Sequence, residues 1–260
     1  MTIDGSGTSL ATCVLAPNPS PMTLEGTNTW LIAAAGSSSA VVVDPGPEHE
    51  GHLRRVVARA AEAGRRVAQI LLTHGHSDHS AGARRLAALT GAPVHAADPA
   101  HRLGSEGLTD GQVVTAAGCE LRVIGTPGHS ADSLSLLLPE DGALLTGDTV
   151  LGRGTTVIAG GGSLADYLRT LGALKEMADT APVRVLLPGH GPLVDDPSST
   201  LASYITHRVE RLAEVRAALA AGDRTPRDIV ARVYHDVDPA IRAFAELSVQ
   251  AQLDYLAAEG

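Results

Sequence analysis

The sequence predicts an α/β fold followed by a small all-helical domain, and three observations carry that prediction. Short apolar runs of strand length alternate with longer helix-patterned stretches as far as Leu187. Histidines and aspartates recur just past the ends of those runs. From Asp195-Asp196-Pro197 to Gly260 the strand signal stops. That change places a boundary near residue 199, dividing the chain into domains of 1–199 and 200–260.

Taken in order, Trp30–Ala33 and Ala40–Val43 read as strands joined by the turn Gly36-Ser37-Ser38-Ser39. Asp44-Pro45-Gly46-Pro47 ends the second, and Glu48–Ala63 has helical composition that stops at Gly64. Val67–Leu72 is a buried strand, His79–Leu89 a helix, and Pro93–Ala96 a strand. Leu121–Ile124, Leu134–Leu138 and Ala143–Leu145 are three more strands. Ser163 is placed to cap a helix over Leu164–Ala178, and Val183–Leu187 is the last strand. Beyond the boundary, Leu201–Ala220 is helical and stops at Gly222. Thr225-Pro226-Arg227-Asp228 combines an N-cap, a first-turn proline and an acid, starting a helix through Tyr234. Pro239–Ala258 is a third helix.

Composition narrows the function. Of 260 residues 44% are apolar, enough for a substantial core, but only 2% are aromatic, so Ala, Val, Leu and Ile must fill it. A net charge of −9 argues against a broad nucleic-acid footprint. The tail from residue 200 holds seven arginines against nine acids. Two cysteines, Cys13 and Cys119, cannot make a disulfide scaffold and are expected as buried, reduced thiols. The N-terminal stretch has no basic segment followed by an apolar one, and no apolar run reaches membrane-spanning length. A cytoplasmic protein without a membrane partner is expected.

The chemistry concentrates in His74-Gly75-His76-Ser77-Asp78-His79, four potential ligands in six residues. Side chains at i and i+2 of an extended loop project the same way, so His74 and His76 can grip one ion. Asp78 and His79, leading into the next helix, can face a second. Zinc suits such N and O donors, and keeps a position open for water when it is catalytic. Thr126-Pro127-Gly128-His129, Thr146-Gly147-Asp148 and Pro188-Gly189-His190 each follow an apolar strand and add one ligand beside small residues. A capping Asp or a surface His explains any one of these segments alone. The four together, in this order, point to a metal site. His49, His52, His95, His101, His207 and His235 lack that setting and are expected in surface or capping roles. Cys119 is expected to be buried and not a ligand.

HxHxDH followed by separate His, Asp and His segments resembles the metallo-β-lactamase superfamily across residues 25–195. That resemblance implies a four-layer αβ/βα sandwich. It also implies that His74, His76 and His129 bind one metal, that Asp78, His79 and His190 bind a second, and that Asp148 bridges both. The segments from Asn18 to Trp30 and from Leu151 to Val157, with the helical tail, are similar to the branch that includes a mitochondrial endoribonuclease and thioesterase-like enzymes. In that branch the tail is a winged-helix-like domain, and this chain ends at Leu256–Gly260, about where the β-wing would begin. Asn28 and Arg153 become candidate substrate contacts. Arg208 and Arg211 join them because, with Arg216, they fall near one face of a helix that starts shortly after His190.

Two zinc ions per chain are expected, with iron or manganese as alternatives. Two ions sharing a water bring its pKa toward neutrality, so that a bridging hydroxide can attack an ester, thioester or phosphodiester. Asp78 can orient the nucleophile and accept its proton. Single-stranded RNA or another phosphodiester is the first substrate reading, on the resemblance. A thioester or acyl substrate of the glyoxalase II kind is the second, and suits the acidic composition and the scarcity of stacking aromatics. A mono-iron sulfur dioxygenase and a binding module with a vestigial site are the others. Antibiotic hydrolysis is disfavoured, because lactamases of the superfamily generally lack Asp at the bridging position. The tail is expected to shape substrate access and to offer a contact for a homodimer.

Overall fold

Successive strand residues point to opposite faces of a sheet, and in this chain both faces are buried. The computed structural model describes residues 3–181, 183–234 and 242–259. In the run Leu134–Leu138, residues Leu134, Leu136 and Leu138 enter one apolar cluster while Leu137 packs against a second. Ala143 and Leu145 join the first and Leu144 the second, and Val185 and Leu187 divide from Leu186 in the same way. Near-continuous apolar strands are what a sheet covered on both sides requires.

The first sheet has the spatial order β1 (Ala11–Leu15), β2 (Asn28–Ile32), β3 (Ser39–Val43), β4 (Arg66–Leu71), β5 (Val94–His95). It is antiparallel as far as β3 and parallel beyond. The second runs β10 (Val185–Pro188), β9 (Ala143–Gly147), β8 (Leu134–Leu138), β7 (Cys119–Gly125), β6 (Val113–Ala116). Only its β9–β10 pair is parallel. Ile32, Val41, Ile70 and Leu71 of the first sheet share a cluster with Leu121, Leu136 and Leu145 of the second, so the main core lies between the sheets. Helix α1 (Glu50–Glu62) adds Leu53 and Val56 from outside the first sheet, and α3 (Ala83–Thr90) adds Leu86. Helix α4 (Leu164–Thr180) covers the second sheet with Tyr167, Leu171 and Leu174. The layers are helix, sheet, sheet, helix, the sandwich expected from the sequence.

Helix α5 (Pro197–Ala220) begins where Asp196 accepts the Ser199 N–H at 3.1 Å. Its first two thirds lie against α4 through Leu201, Tyr204 and Leu212. Its last third joins Val215 and Ala218 to Ile229 and Val230 of α6 (Pro226–Val233) and Val249 of α7 (Arg242–Glu259). The expected boundary near residue 199 therefore falls in the first turn of a helix shared by two cores. The N-cap and first-turn acid expected at the start of α6 are present, and Thr225 and Asp228 go further by forming a reciprocal capping box. Residues 239–241 of the third expected tail helix, and His235, lie outside the described residues.

Two strands escape sequence patterning. In β1 the apolar run Ala11, Cys13, Val14 is interrupted by Thr12, and β6 buries only Val114 while leaving Val113 half exposed, so neither carries a long apolar signal. The expected helix from His79 is two pieces, the single turn α2 (Ser77–Ser80) and then α3. Gly82 sits at the break because a Cβ there would lie 2.9 Å from the carbonyl oxygens of Gly46 and Pro47. Cys13 and Cys119 are buried and unbridged, and burial pushes the Cys13 thiol up to about 12. Among the described residues, no helix is long and apolar enough to cross a membrane.

Candidate metal centre

Each candidate ligand lies just beyond a strand. β4 delivers Thr73, His74 and His76, α2 carries Asp78 and His79, β7 leads to His129, β9 to Asp148, and β10 to His190. The two sheets thus end their strands at one place and bring together residues up to 116 positions apart, from His74 to His190. Gly189 permits the closest approach: a Cβ there would lie 2.6 Å from both Asp148 Oδ1 and the His79 ring.

The side chains form two triads around one carboxylate. His74 Nε2 lies 3.1 Å from His76 Nδ1, which lies 2.9 Å from His129 Nε2. His79 Nε2 lies 3.2 Å from His190 Nε2, and Asp78 Oδ2 lies 3.1 Å from the latter. Asp148 stands between them, with Oδ1 3.2 Å from His79 Nε2, and Oδ2 3.4 Å from His190 Nε2 and 3.8 Å from His129 Nε2. Among the described residues, the donor groups that could hold an ion are His74, His76, His129; His74, His79, Asp148; and Asp78, His79, His190.

The far nitrogens of four rings are tied down. Val157 O takes the proton of His129 Nδ1 at 2.8 Å, and Gly26 O that of His190 Nδ1 at 3.1 Å. Asp44 Oδ2 accepts from His79 Nδ1 at 2.9 Å and from Thr73 Oγ1 at 2.7 Å, while Thr73 Oγ1 accepts from His74 Nδ1 at 3.0 Å. One carboxylate oxygen therefore fixes the tautomer of a ring in each triad. A proton on Nδ1 leaves a bare lone pair on Nε2, and such outer partners orient ligating histidines and raise their basicity.

Bare nitrogens about 3 Å apart repel unless a cation lies between them. Bonds near 2.0–2.1 Å in a tetrahedron put neighbouring donors about 3.3 Å apart, close to the spacings above. Asp148 Oδ1 is a buried oxygen with no hydrogen-bond partner among the described residues, as expected if it faces the lone pair of His79. The charge environment agrees. Burial opposes protonation of His79, yet Asp148 and Asp44 outweigh it and hold its pKa well above the usual imidazole value. Burial likewise opposes ionisation of Asp148, but His190 and His79 hold its carboxyl well below the ordinary range. His74, by contrast, is pushed far down by burial and by neighbouring His79. The site favours positive charge between its donors, and the residues fit a metal cofactor.

All seven sequence-predicted ligands converge, but the proposed substrate contacts part ways. Asn28 is fully buried and donates both amide protons, to Pro188 O at 3.0 Å and Gly191 O at 2.8 Å. It braces the His190 loop and faces no cleft. Arg153 lines the cleft rim paired with Glu25 at 2.7 Å. Arg208 and Arg211 line the cleft wall, whereas Arg216 reaches Glu259 and not the cleft. His49 caps α1 as expected, but His52 corrects the surface expectation: it is 2% exposed and bonds Thr29 Oγ1 at 2.9 Å. His207 also lines the cleft. Asp44 is the functional residue that sequence reading passes over. Its signal was present, an Asp after an apolar strand in Asp-Pro-Gly-Pro, in the same setting as Asp148.

Beside His129 and Asp148 opens a cavity of about 370 Å³ between the sandwich and the tail. Met22, Leu24, Leu151, Val157, Tyr234 and Phe244 make most of its wall apolar. Small-molecule sites have this character, mostly apolar with a few placed polar groups.

Comparison with known proteins agrees with this architecture. Residues 22–203 match the family described as the metallo-beta-lactamase superfamily, and residues 225–260 match the beta-lactamase associated winged helix domain. The chain is 33% identical over 258 residues to a Beta-lactamase-like protein 2 homolog of Caenorhabditis elegans, covering 96% of this chain and 84% of that one. It is 32% identical over 223 residues to the Atrochrysone carboxyl ACP thioesterase of Aspergillus fumigatus, covering 83% of this chain and 67% of that one. In fold it is similar to a metallo-beta-lactamase family protein from Thermus thermophilus, with a TM-score of 0.79, 24% identity and coverage of 96% and 94%.

Proposed function

This chain belongs to the metallo-β-lactamase superfamily and is a metal-dependent hydrolase, and from that premise we propose that it binds two zinc ions and hydrolyses an acyl thioester or related ester of a small molecule. The observation that carries the proposal is the pair of inward-facing triads on either side of Asp148, which with His129 lines an apolar cavity. His74, His76 and His129 would hold one ion, Asp78, His79 and His190 the other, with Asp148 between them. When bound, such a pair supplies a water that ionises near neutral pH and an electrophile for the carbonyl oxygen.

The chain's own residues do the rest. Asp44, Thr73, Val157 and Gly26 keep the ring protons on the outer nitrogens, so the inner ones remain ligands. Asp78 is the most exposed acid of the site, with 29% of its side chain accessible, and its carboxyl is held below the usual range despite burial, chiefly by His190. Ionised and accessible, it can orient the attacking water and take its proton at Oδ1 or Oδ2. The apolar wall excludes bulk water and receives the acyl part. The acyl carrier protein thioesterase among the relatives supports this choice of bond. A cytoplasmic location belongs to the proposal, supported by two buried thiols that form no bridge.

Hydrolysis of single-stranded RNA or another phosphodiester is the second reading, favoured by the matched winged helix domain. The cleft offers little for base stacking beyond Tyr234 and Phe244. The test is the zinc-loaded full chain against parallel panels of thioesters, phosphodiesters and single-stranded RNA, with elemental analysis of protein purified without chelator. Two zinc per chain with thioester turnover is expected. Turnover of RNA alone refutes the acyl reading, and one iron per chain with oxygen-dependent turnover replaces it with the dioxygenase.

A further inference from the structure

The inward face of α5 follows helical spacing, with Leu201, Tyr204, Arg208, Leu212 and Val215 all buried. An arginine occupies a core position in that series and is only 4% exposed. Charged side chains are almost never buried to this extent unless paired, because removing a charge from water is costly. Arg208 nonetheless pairs with no carboxylate among the described residues. Its Nη2 donates to Thr156 O, its guanidinium carbon lies 5.1 Å from the Tyr167 ring centroid, and its Nε is a buried donor without a partner.

The other two arginines of the cleft are neutralised, Arg153 by Glu25 at 2.7 Å and Arg211 by Glu214 at 2.7 Å. Neighbouring His207 is half-buried, and its pKa is lowered by burial and by Arg208, which favours the neutral ring. Arg208 is therefore the cleft's unbalanced side-chain cation among the described residues. Its position is close to the reacting centre. Thr156 O accepts from Arg208, while Thr156 Oγ1 lies 3.0 Å from His129 Nδ1 and the next carbonyl, Val157 O, tethers the same ring at 2.8 Å. Two consecutive residues link the guanidinium to a ligand of the metal site.

We propose that Arg208 is the anion receptor of this cleft, binding a carboxylate or phosphate that the substrate carries near its scissile bond. The inference rests on the hydrolase reading and narrows its substrate to an anionic ester or thioester. A guanidinium is a planar fork suited to two oxygens of one anion. An anion seated there completes the charge balance that the fold leaves open. A purely structural Arg208, clipping the 151–157 segment to α5, predicts a loss of stability on substitution and no preference among ligands.

The test begins with binding. The zinc-loaded full chain is titrated calorimetrically with glutarate and with butyrate, which share one carboxylate and differ in the second. Glutarate should bind about 10- to 100-fold more tightly, the range of one charge-assisted contact. Arg208→Met should abolish that preference, and Arg208→Lys should restore part of it. Equal binding by the unsubstituted protein overturns the proposal whether or not the variants fold, and so does a preference that survives in Arg208→Met. Kinetics then locate the anion. Succinyl against butyryl thioesters of N-acetylcysteamine place it on the acyl side, and butyryl phosphopantetheine against butyryl pantetheine place it on the leaving group. A lower KM for one charged member, lost in Arg208→Met, assigns the side, and no difference in either pair refutes the receptor. If no ester is hydrolysed but the glutarate preference stands, the hydrolase reading fails and the anion site remains.

Discussion

Asp44→Asn isolates what the tethering carboxylate does. Asp44 is 1% exposed and has φ of 51°, a left-handed conformation that Asn adopts as readily as Asp, so the exchange adds no backbone strain. Its oxygens take three protons: Thr73 N–H at 2.8 Å on Oδ1, and Thr73 O–H at 2.7 Å and His79 Nδ1–H at 2.9 Å on Oδ2. An amide supplies one accepting edge in place of two. If its NH2 faces the Thr73 amide, two buried donors confront each other, at a cost of about 1–3 kcal/mol. If its NH2 faces His79, Nδ1 must become the acceptor, and the ring proton moves to the nitrogen that should bind metal. Either arrangement weakens the site, and loss of such an outer partner typically costs about 10- to 100-fold in metal affinity or activity. The assay is zinc competition against a chromophoric chelator, with elemental analysis and kcat/KM on the same preparation. Thr73→Val gives a graded control, because it cuts the branch to His74 and leaves the His79 contact in place. Asp44→Asn retaining two metals at unchanged affinity would refute the tautomer argument.

Five further outcomes are expected. Asp148→Asn should lose metal and more than about a hundredfold in rate, because removing a major electrostatic contribution of roughly 3 kcal/mol is felt in full at the barrier. Stoichiometry and single-turnover rates check it. His95→Ala should leave metal content unchanged, since His95 belongs to none of the three donor groups; elemental analysis decides. Arg211→Ala should cost under about 1 kcal/mol in thermal stability, because its ion pair with Glu214 is solvent-accessible; on a proven RNA substrate, Arg208→Ala with Arg211→Ala should raise KM and flatten its salt dependence. Asp141 accepts from Thr8 Oγ1, Ser9 Oγ and Leu10 N–H, and although burial opposes ionisation, these donors hold its carboxyl below the usual range. A depressed folded pKa stabilises above the unfolded value of about 3.9 and is lost as pH falls through the folded one. Asp141→Asn should therefore lower Tm at neutral pH and shrink its loss on acidification, as melts from pH 7 to pH 3 would record.

The ligand set was legible because metal chemistry restricts residue type. His and Asp beside small residues at strand ends are visible one segment at a time, and HxHxDH needs no partner to be noticed. The strands of the interior were legible for a similar reason, since burial on both faces demands unbroken Val and Leu. β1 and β6 were not: Thr12 interrupts the apolar run of β1, and β6 buries only Val114 and leaves Val113 half exposed. Nor was the break at Gly82, which answers to the Gly46–Pro47 carbonyls, a contact made only in three dimensions. Asp44 and Asn28 show the same division from opposite sides. Both follow or begin an apolar strand and look alike in one dimension, yet one orients a ligand ring and the other braces a loop. Which neighbours a buried polar group meets depends on segments far away in sequence, and its role follows from those neighbours. Arg208 is the sharpest case. The sequence put Arg208 beside Arg211 on a helix starting shortly after His190 and offered both alike as cleft contacts. Only the packing of α5 against α4 and the 151–157 segment turned that residue inward and left it without a carboxylate partner among the described residues.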